Sequence, residues 1–202
     1  MADNIVPTRS ELMKLKNRIK LAKSGYNLLK KKRDGLILEF FEVLKRAKTL
    51  RKELTEEYTK ALKAVNIART VEGDIQIKSI AMGVRVKPEI HLIQKNIMGV
   101  VVPKIEARME KTADRGFGLN DSSAMIDEAS TAFENVVRKV IEAAEVETTM
   151  KKLLDEIEKT KRRVNALEFA VIPRLNDQKK YIVLRLEEME RENVFRLKRI
   201  KK

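Results

Sequence analysis

The residue types best suited to catalysis or metal binding are scarce in this chain. His91 is the only histidine and cysteine is absent, which excludes a histidine pair, a thiolate zinc site and a thiol nucleophile. Gly116 and Gly118 begin like a phosphate-binding glycine loop, but Asp121 stands where the third glycine belongs and no strand leads into them. The sequence therefore predicts no catalytic residue, no cofactor and no metal ion.

A cluster of charged residues near the end of the chain could also suggest acid–base chemistry. Its acids are Glu187, Glu188, Glu190 and Glu192, and its bases are Arg185, Arg191 and Arg196. Acids and bases that alternate at spacings of three and four residues form ion pairs along one helix. We therefore interpret the cluster as a solvated helix face and not as a catalytic pair.

Positive charge is concentrated at the two ends of the chain. Residues 10–70 hold 17 Lys and Arg against 7 Asp and Glu, residues 173–202 hold 10 against 5, and the stretch between them is nearly neutral. Between Leu12 and Arg33 there are nine cations and no acid. Such a stripe could bind phosphates, but Tyr26 is its only aromatic residue, so it offers little for base stacking.

The elements that carry these charges are predicted to be long helices. Composition favours them, because 37% of residues are charged, only 4% are aromatic and 43% are hydrophobic. Thr8 and Glu11 have the spacing of a helix-capping pair, and either Thr8 or Ser10 could cap the first turn. After them, apolar residues recur with an average step of 3.5. This first seam runs through Leu12, Leu15, Ile19, Ala22, Tyr26, Leu29, Leu36, Phe40, Leu44, Ala47, Leu54, Tyr58, Ala61, Val65 and Ala68. A heptad seam predicts a supercoiled partner helix.

A second heptad seam begins after several candidate N-caps at residues 120–123. It runs through Ile126, Ala129, Phe133, Val136, Val140, Ala143, Met150, Leu154, Ile157, Val164, Leu167 and Val171, and continues through Leu175, Ile182, Leu186, Met189 and Ile200. Pro173 interrupts it without changing its phase, which predicts a single helix that bends there.

The segment between the two seams has a different pattern. Residues 75–78 and 84–87 alternate apolar and polar side chains, as half-buried strands do. We therefore predict a short β-hairpin with an irregular connection. The predicted fold class is all-α: a long antiparallel two-helix coiled coil with this small hairpin in the middle. Its expected divisions are residues 1–70, 71–119 and 120–202, and the antiparallel arrangement makes the two basic ends neighbours.

Three stretches of the sequence resemble the D subunit of the V-type and archaeal A-type ATPases. They are PTRSELMKLKNRIKLAKSGYNLLKKKRDGLILEF (Pro7 to Phe40), NIMGVVVPKIE (Asn96 to Glu106) and VNALEFAVIPRLNDQKKYIVLRLEEMERE (Val164 to Glu192). Together they cover nearly the whole chain in the order typical of that family, and the short tail resembles prokaryotic members.

The resemblance implies a non-catalytic central-stalk rotor subunit. Its implied partners are the hexamer of A and B subunits, the F subunit along the coiled coil, and the funnel-shaped subunit (C or d) above the membrane ring. It implies a position on the cytoplasmic face of the membrane, without direct membrane insertion, and a role in ATP synthesis and ion transport. No nucleic acid is expected as a partner.

The basic ends suggest which surface would face such a hexamer. The residues expected there are Lys14, Arg18, Lys20, Arg174, Arg185 and Arg199, hereafter the cationic set. Two other functions are compatible with the residues alone: a basic coiled-coil arm that binds nucleic acid or docks a protein, and a spectrin-like tether. No internal repeat supports the tether.

Overall fold

A computed structural model describes residues 6–83, 89–108 and 123–201. The elements are α1 (Arg9–Glu72), α2 (Asp74–Gly83), β1 (Glu89–Ile97), β2 (Val100–Arg108), α3 (Ala124–Ala166), a π-helical turn (Leu167–Val171) and α4 (Ile172–Ile200). The predicted fold class, helical with a small antiparallel hairpin in the middle of the chain, is confirmed. The chain forms two compact units, Met1–Ile37 with Glu156–Lys202, and Leu38–Asp155. Within residues 6–83, 89–108 and 123–201, no helix combines the length and the hydrophobicity of a transmembrane span.

The apolar seam of α1 keeps one heptad phase along the helix. The buried residues occupy two positions of the heptad. Leu15, Leu36 and Leu50 share one position, and Ile19, Ala61 and Ala68 share the other. All of them except Leu50 belong to the seam predicted from the sequence. The prediction is wrong at Tyr58, which is 46% exposed, because the half-buried position in that turn belongs to Glu57.

The seam of α3 shifts its phase, and the sequence analysis missed the shift. Ile126 and Val146 are both buried but lie 20 residues apart, one short of three heptads. Leu153 is consequently fully buried, whereas Leu154, which we predicted in the seam, is 48% exposed. Such an interruption of the heptad changes the local winding of paired helices. Buried threonines at 149 and 160 obscured the new phase in the sequence.

The helical backbone continues through Pro173, as predicted. Its ring would collide with the carbonyl four residues earlier in a regular α-helix. The turn just before it is instead π-helical, and the N–H of Ile172 donates to the carbonyl oxygen of Leu167, five residues back. The wider turn therefore lies where the proline disturbs the ordinary hydrogen-bond ladder.

In the unit made of both chain ends, α1 and α4 run antiparallel. Leu15 and Ile19 pack with Ile182, which has no exposed surface. On one side of this cluster the Arg9 guanidinium lies 2.6 Å from a Glu190 carboxylate oxygen. Further along α1, partners come from earlier in the chain, as the predicted antiparallel pairing requires.

The second unit repeats the antiparallel pairing with the rest of α1 and with α3. Lys139 Nζ lies 3.0 Å from Glu53 Oε2, and this hydrogen bond is the main reason that the pKa of Lys139 is raised. Nearer the end of α1, the N–H of Ser123 donates to Glu72 Oε1 at 2.7 Å. The carboxylate of Glu72 thereby occupies the N-terminal end of α3, where helix backbone N–H groups lack partners.

The predicted strand at Ile75–Lys78 is wrong, because these residues lie in α2. Gly73 ends α1 with a φ of +85°, and α2 starts at the next residue. Asp74 lies in the first turn of α2 and pairs with Lys78 at 3.0 Å, a spacing that stabilises a helix. The hydrogen bond from Lys78 is also the main cause of the lowered pKa of Asp74. The other predicted strand, residues 84–87, lies outside the described residues.

The observed hairpin pairs β1 with β2 around a two-residue turn. Met98 and Gly99 form the turn, with φ of 50° and 86°, and the Gly99 N–H donates to Asn96 Oδ1 at 2.8 Å. Positive φ at both positions is the mark of a type I′ turn, which matches the twist of the flanking strands. Methionine is an unfavourable residue at its first position, because its Cβ crowds the backbone there.

Replacing Met98 with asparagine should therefore stabilise the protein. We expect Met98→Asn to raise the free energy of unfolding by about 1 kcal/mol, since asparagine tolerates positive φ. Urea unfolding followed by circular dichroism measures the change. Met82→Asn is the matched control, because Met82 is 87% exposed on a regular helix and gains nothing from the exchange. Equal or lower stability of Met98→Asn than wild type would contradict the prediction.

Candidate interaction surface

The surface begins with the first turn of α1, which is capped by Thr8, one of the two residues predicted as possible caps. The Glu11 N–H donates to Thr8 Oγ1 at 3.2 Å, so Thr8 provides one half of the capping pair. The other half does not form, because the Glu11 carboxylate turns to Lys14 Nζ at 2.8 Å. The hydrogen bond from Lys14 is the largest cause of the lowered pKa of Glu11, and the charge of Arg18 lowers it further.

The apolar cluster at Ile182 determines where the predicted cations lie. Lys14 and Arg18 each precede a cluster residue of α1, and Lys20 follows one. On α4, Arg174 and Arg185 each precede a partly buried leucine of the same cluster, Leu175 and Leu186 respectively. The structure therefore brings five members of the cationic set around one apolar contact between the chain ends, and all five are exposed.

Arg185 is held by two neighbouring side chains of α4. Its guanidinium lies 2.9 Å from Glu188 Oε2 and 5.8 Å from the centre of the Tyr181 ring, within the range of a cation–π contact. The hydrogen bond with Tyr181, followed by that with Glu188, raises the pKa of Arg185, which stays protonated. This side chain is therefore held in place on the surface, at 52% exposure.

Arg199 is not brought to the cluster. The first residue of α1, Arg9, pairs with Glu190, and Arg199 lies nine residues further along α4. Nine helical residues span about 13 Å. Every described residue after Glu190 is exposed. Arg199 thus belongs to a final stretch of α4 that has no described helix beside it.

Exposed apolar side chains in the same unit were not predicted. They include Met13, Leu21, Leu28 and Leu184, and also Phe195 and Leu197 in the final stretch of α4, with exposed fractions between 57% and 71%. All of them lie outside the predicted seams. The sequence contains no other apolar pattern that marks these positions. Aliphatic side chains beside cations make a surface suited to binding protein, and a purely electrostatic surface would lack them.

Ion pairs across the helices were also missed. Arg9 reaches Glu190, and Lys32 Nζ lies 3.2 Å from Glu156 Oε1 in the same unit. Their separations of 181 and 124 residues give no local sequence signal. The predicted ion pairing along α4 is confirmed for Arg185 and Glu188, whereas Glu190 pairs across the helices instead.

The residues considered for chemistry do not belong to this surface. His91 is exposed on β1, in the other unit. The glycine loop at residues 116–118 lies outside the described residues. Among residues 6–83, 89–108 and 123–201, no three acidic or histidine side chains are grouped closely enough to hold a metal ion.

Comparison with known proteins gives one consistent result over the whole chain. The family model that describes the D subunit of ATP synthase matches residues 11–202. The chain is 59% identical to the A-type ATP synthase D subunit of Methanococcoides burtonii, over 100% of this chain and 98% of that protein. It is 56% identical to the D subunit of Methanoregula boonei, over 98% and 96% respectively. The A-type ATP synthase D subunit of Halorubrum lacusprofundi is 51% identical, over 100% of this chain and 89% of the length of that protein. These matches, along a chain folded from paired antiparallel helices, show that the protein belongs to the family of ATP synthase D subunits.

Proposed function

We propose that this chain is the rotor shaft of an A-type ATP synthase, transmitting torque between the catalytic hexamer and the ion-translocating ring. Membership of the D-subunit family makes it a non-catalytic stalk subunit of that membrane-associated complex. The observation that carries the proposal is the full-length match to these D subunits. The exposed cations around the Ile182 cluster support it, because they supply a surface suited to repeated, reversible contacts.

The proposed partners are those that the family resemblance implies. The cationic set would face the hexamer of A and B subunits, the F subunit would bind along the coiled coil, and the funnel-shaped subunit would join the shaft to the membrane ring. The complex would place the chain on the cytoplasmic face of the membrane. We propose the divisions 1–70, 71–119 and 120–202 as its working parts, with a bend at Pro173.

Weak contacts at this surface would suit a rotating shaft. An ion pair between exposed side chains contributes about 0–1 kcal/mol, so each contact can break without a large barrier. Two helices of unequal sequence present different side chains in each direction. A turning shaft would therefore offer each surrounding A–B pair a different set of contacts, and so a different bias between open and closed states.

The experiment reverses the charge of the whole cationic set. Replacing all six residues with glutamate in the assembled complex should uncouple ATP hydrolysis from ion transport, because favourable contacts with the hexamer become repulsive. ATPase activity and ion pumping are measured together in reconstituted vesicles. Circular dichroism of the variant chain verifies that it still folds.

A matched variant controls for the change in net charge. It reverses six exposed cations of the other unit, Lys45, Lys48, Arg51, Lys52, Lys63 and Lys151. We expect coupling to fall at least about tenfold further in the first variant than in this control. Equal coupling in the two variants would exclude the cationic set as the hexamer-facing surface.

The alternative of an arm that binds nucleic acid finds no support in the family comparison. A salt titration tests it directly, since binding to random DNA or RNA would weaken steeply as salt is raised. We expect the isolated chain to bind DNA or RNA only weakly. When it is co-expressed with A and B subunits, we expect it to co-purify with them stoichiometrically.

A further inference from the structure

The outer edge of β2 is closed to other strands. The N–H of Ile105 donates to Glu145 Oε2 at 2.9 Å, and the carbonyl oxygen of Val101 accepts from Lys152 Nζ at 3.1 Å. Side chains of α3 thus hold backbone groups that point away from β1. Between them, Pro103 has no N–H to offer a further strand. Both features are common means of protecting a sheet edge.

The outer edge of β1 has no such protection. The register places Gln94 opposite Pro103 and Leu92 opposite Ile105. In an antiparallel pair, the N–H and C=O groups of two directly opposite residues point either towards the neighbouring strand or, for both residues, towards the outer edges of the sheet. Because those of Ile105 point away, those of Leu92 and Gln94 point away as well. In the part of the chain that the structure describes, these outward groups of β1 have no hydrogen-bond partner.

One face of the hairpin is also apolar and uncovered. Ile90, Leu92 and Val101 share it and are 50%, 69% and 48% exposed. The opposite face carries Val100 and Val102, which are buried within their unit. The hairpin is therefore anchored by one face and leaves an aliphatic face next to an open backbone edge.

We propose that β1 is a strand-addition site for an edge strand of another subunit of the assembly. The incoming strand would continue the hydrogen-bond ladder at Leu92 and Gln94, and the body of its subunit would cover the apolar face. On the other face, Lys95 favours a negatively charged residue in the incoming strand, because it is exposed and has no ion-pair partner among the described residues. The incoming strand therefore carries an aliphatic residue beside Leu92 and an acid beside Lys95.

A second copy of this chain fits the site less well. Pairing β1 with the β1 of a second molecule would fill the open edge. It would also join two uncovered aliphatic faces into one larger exposed patch and cover neither. The aliphatic face therefore favours a different subunit. The strand-addition site does not include the cationic set. It rests on the proposed function only in that the chain must belong to a multisubunit complex.

Hydrogen exchange of the β1 amides tests the proposal in the assembled ATP synthase. We expect the outward amides of Ile90, Leu92 and Gln94 to exchange at least about tenfold more slowly in the complex than in the isolated chain. A photo-crosslinker placed at Leu92 should join the chain to one other subunit, in a segment that alternates aliphatic and acidic residues. Unchanged exchange of these amides on assembly would overturn the proposal.

Gln94→Pro and Gln94→Ala form a matched pair of variants. The proline removes an outward N–H and leaves the pairing with β2 intact, because Gln94 stands opposite Pro103 and donates nothing inward. The alanine keeps that N–H. We expect the proline variant to lose the crosslink and the protection at Leu92, and the alanine variant to retain both. Equal behaviour of the two variants would overturn strand addition.

Lys95 provides a test of the incoming acid. Lys95→Glu should reduce the crosslink yield about tenfold, whereas Lys95→Arg should preserve it. Equal yields in the two variants would remove the acidic residue from the proposal. Protection of β1 in the isolated chain that increases with its own concentration would assign the edge to a second copy instead, and would likewise contradict it.

Discussion

Leu153→Ala should destabilise the protein by about 2–5 kcal/mol, whereas Leu154→Ala should cost less than about 1 kcal/mol. The two residues are neighbours of one type in one helix, so helix propensity and chain entropy change equally in both variants. They differ in burial, because Leu153 is fully buried and Leu154 is 48% exposed. The cavity left by the first truncation accounts for the difference.

Urea unfolding of both variants, followed by circular dichroism, measures this pair. The result also decides the phase of the seam in α3, because a regular heptad continued from Ala143 through Met150 favours Leu154 in the core. A larger loss for Leu154→Ala than for Leu153→Ala would show that the phase shift at Val146 does not exist in solution.

Ile182→Ala should loosen the unit that contains both chain ends. Ile182 has no exposed surface and is the buried residue that α4 contributes to the cluster with Leu15 and Ile19. We expect this unit to lose about 2–5 kcal/mol of stability against opening. Trypsin should then cut the basic stretch of α1 much faster, because opening exposes its many lysines and arginines to the protease.

Ile200→Ala is the control for this variant, since Ile200 is on the same helix and 81% exposed. It should leave the rate of cleavage within residues 14–33 unchanged. In the assembled complex, Ile182→Ala should also lower coupling, because the cations of the cationic set take their positions from this cluster. Equal cleavage rates in the two variants would show that the cluster does not hold the chain ends together.

The heptad pattern predicted most of the core, for a clear physical reason. Where aliphatic residues recur at an unbroken spacing, as at Leu12, Leu15 and Ile19 in α1, burial follows directly from the sequence. Apart from Leu50, prediction failed where the seam includes polar residues. Thr149 and Thr160 are buried at seam positions of α3, and Glu57 takes the place expected for Tyr58. Burial at these positions depends on the partner helix, which a local pattern does not contain.

The position of one predicted hairpin strand was also wrong. Residues 75–78 alternate like a strand, yet Asp74 and Lys78 stabilise a helix at that place, and short alternation is too weak a signal to prevail. β1 escaped notice because Ile93 follows Leu92 and breaks the alternation. All six residues of the cationic set are exposed. The sequence does not show that the first turn of α1 meets Glu190, and this contact leaves Arg199 beyond the paired region.

The unit made of the first and last segments of the chain also constrains how the protein folds during its synthesis. Residues 9–37 leave the ribosome well before residues 156–201, which contain their partner. At about 5–20 residues per second, the delay between residue 37 and residue 156 is on the order of ten seconds. During that time the seam at Leu15 and Ile19 has no partner. The nine cations between Leu12 and Arg33, with no acid among them, make nascent chains on one polysome repel each other through this segment. We expect this charge to reduce aggregation of the unfinished chain while its partner segment is still being synthesised.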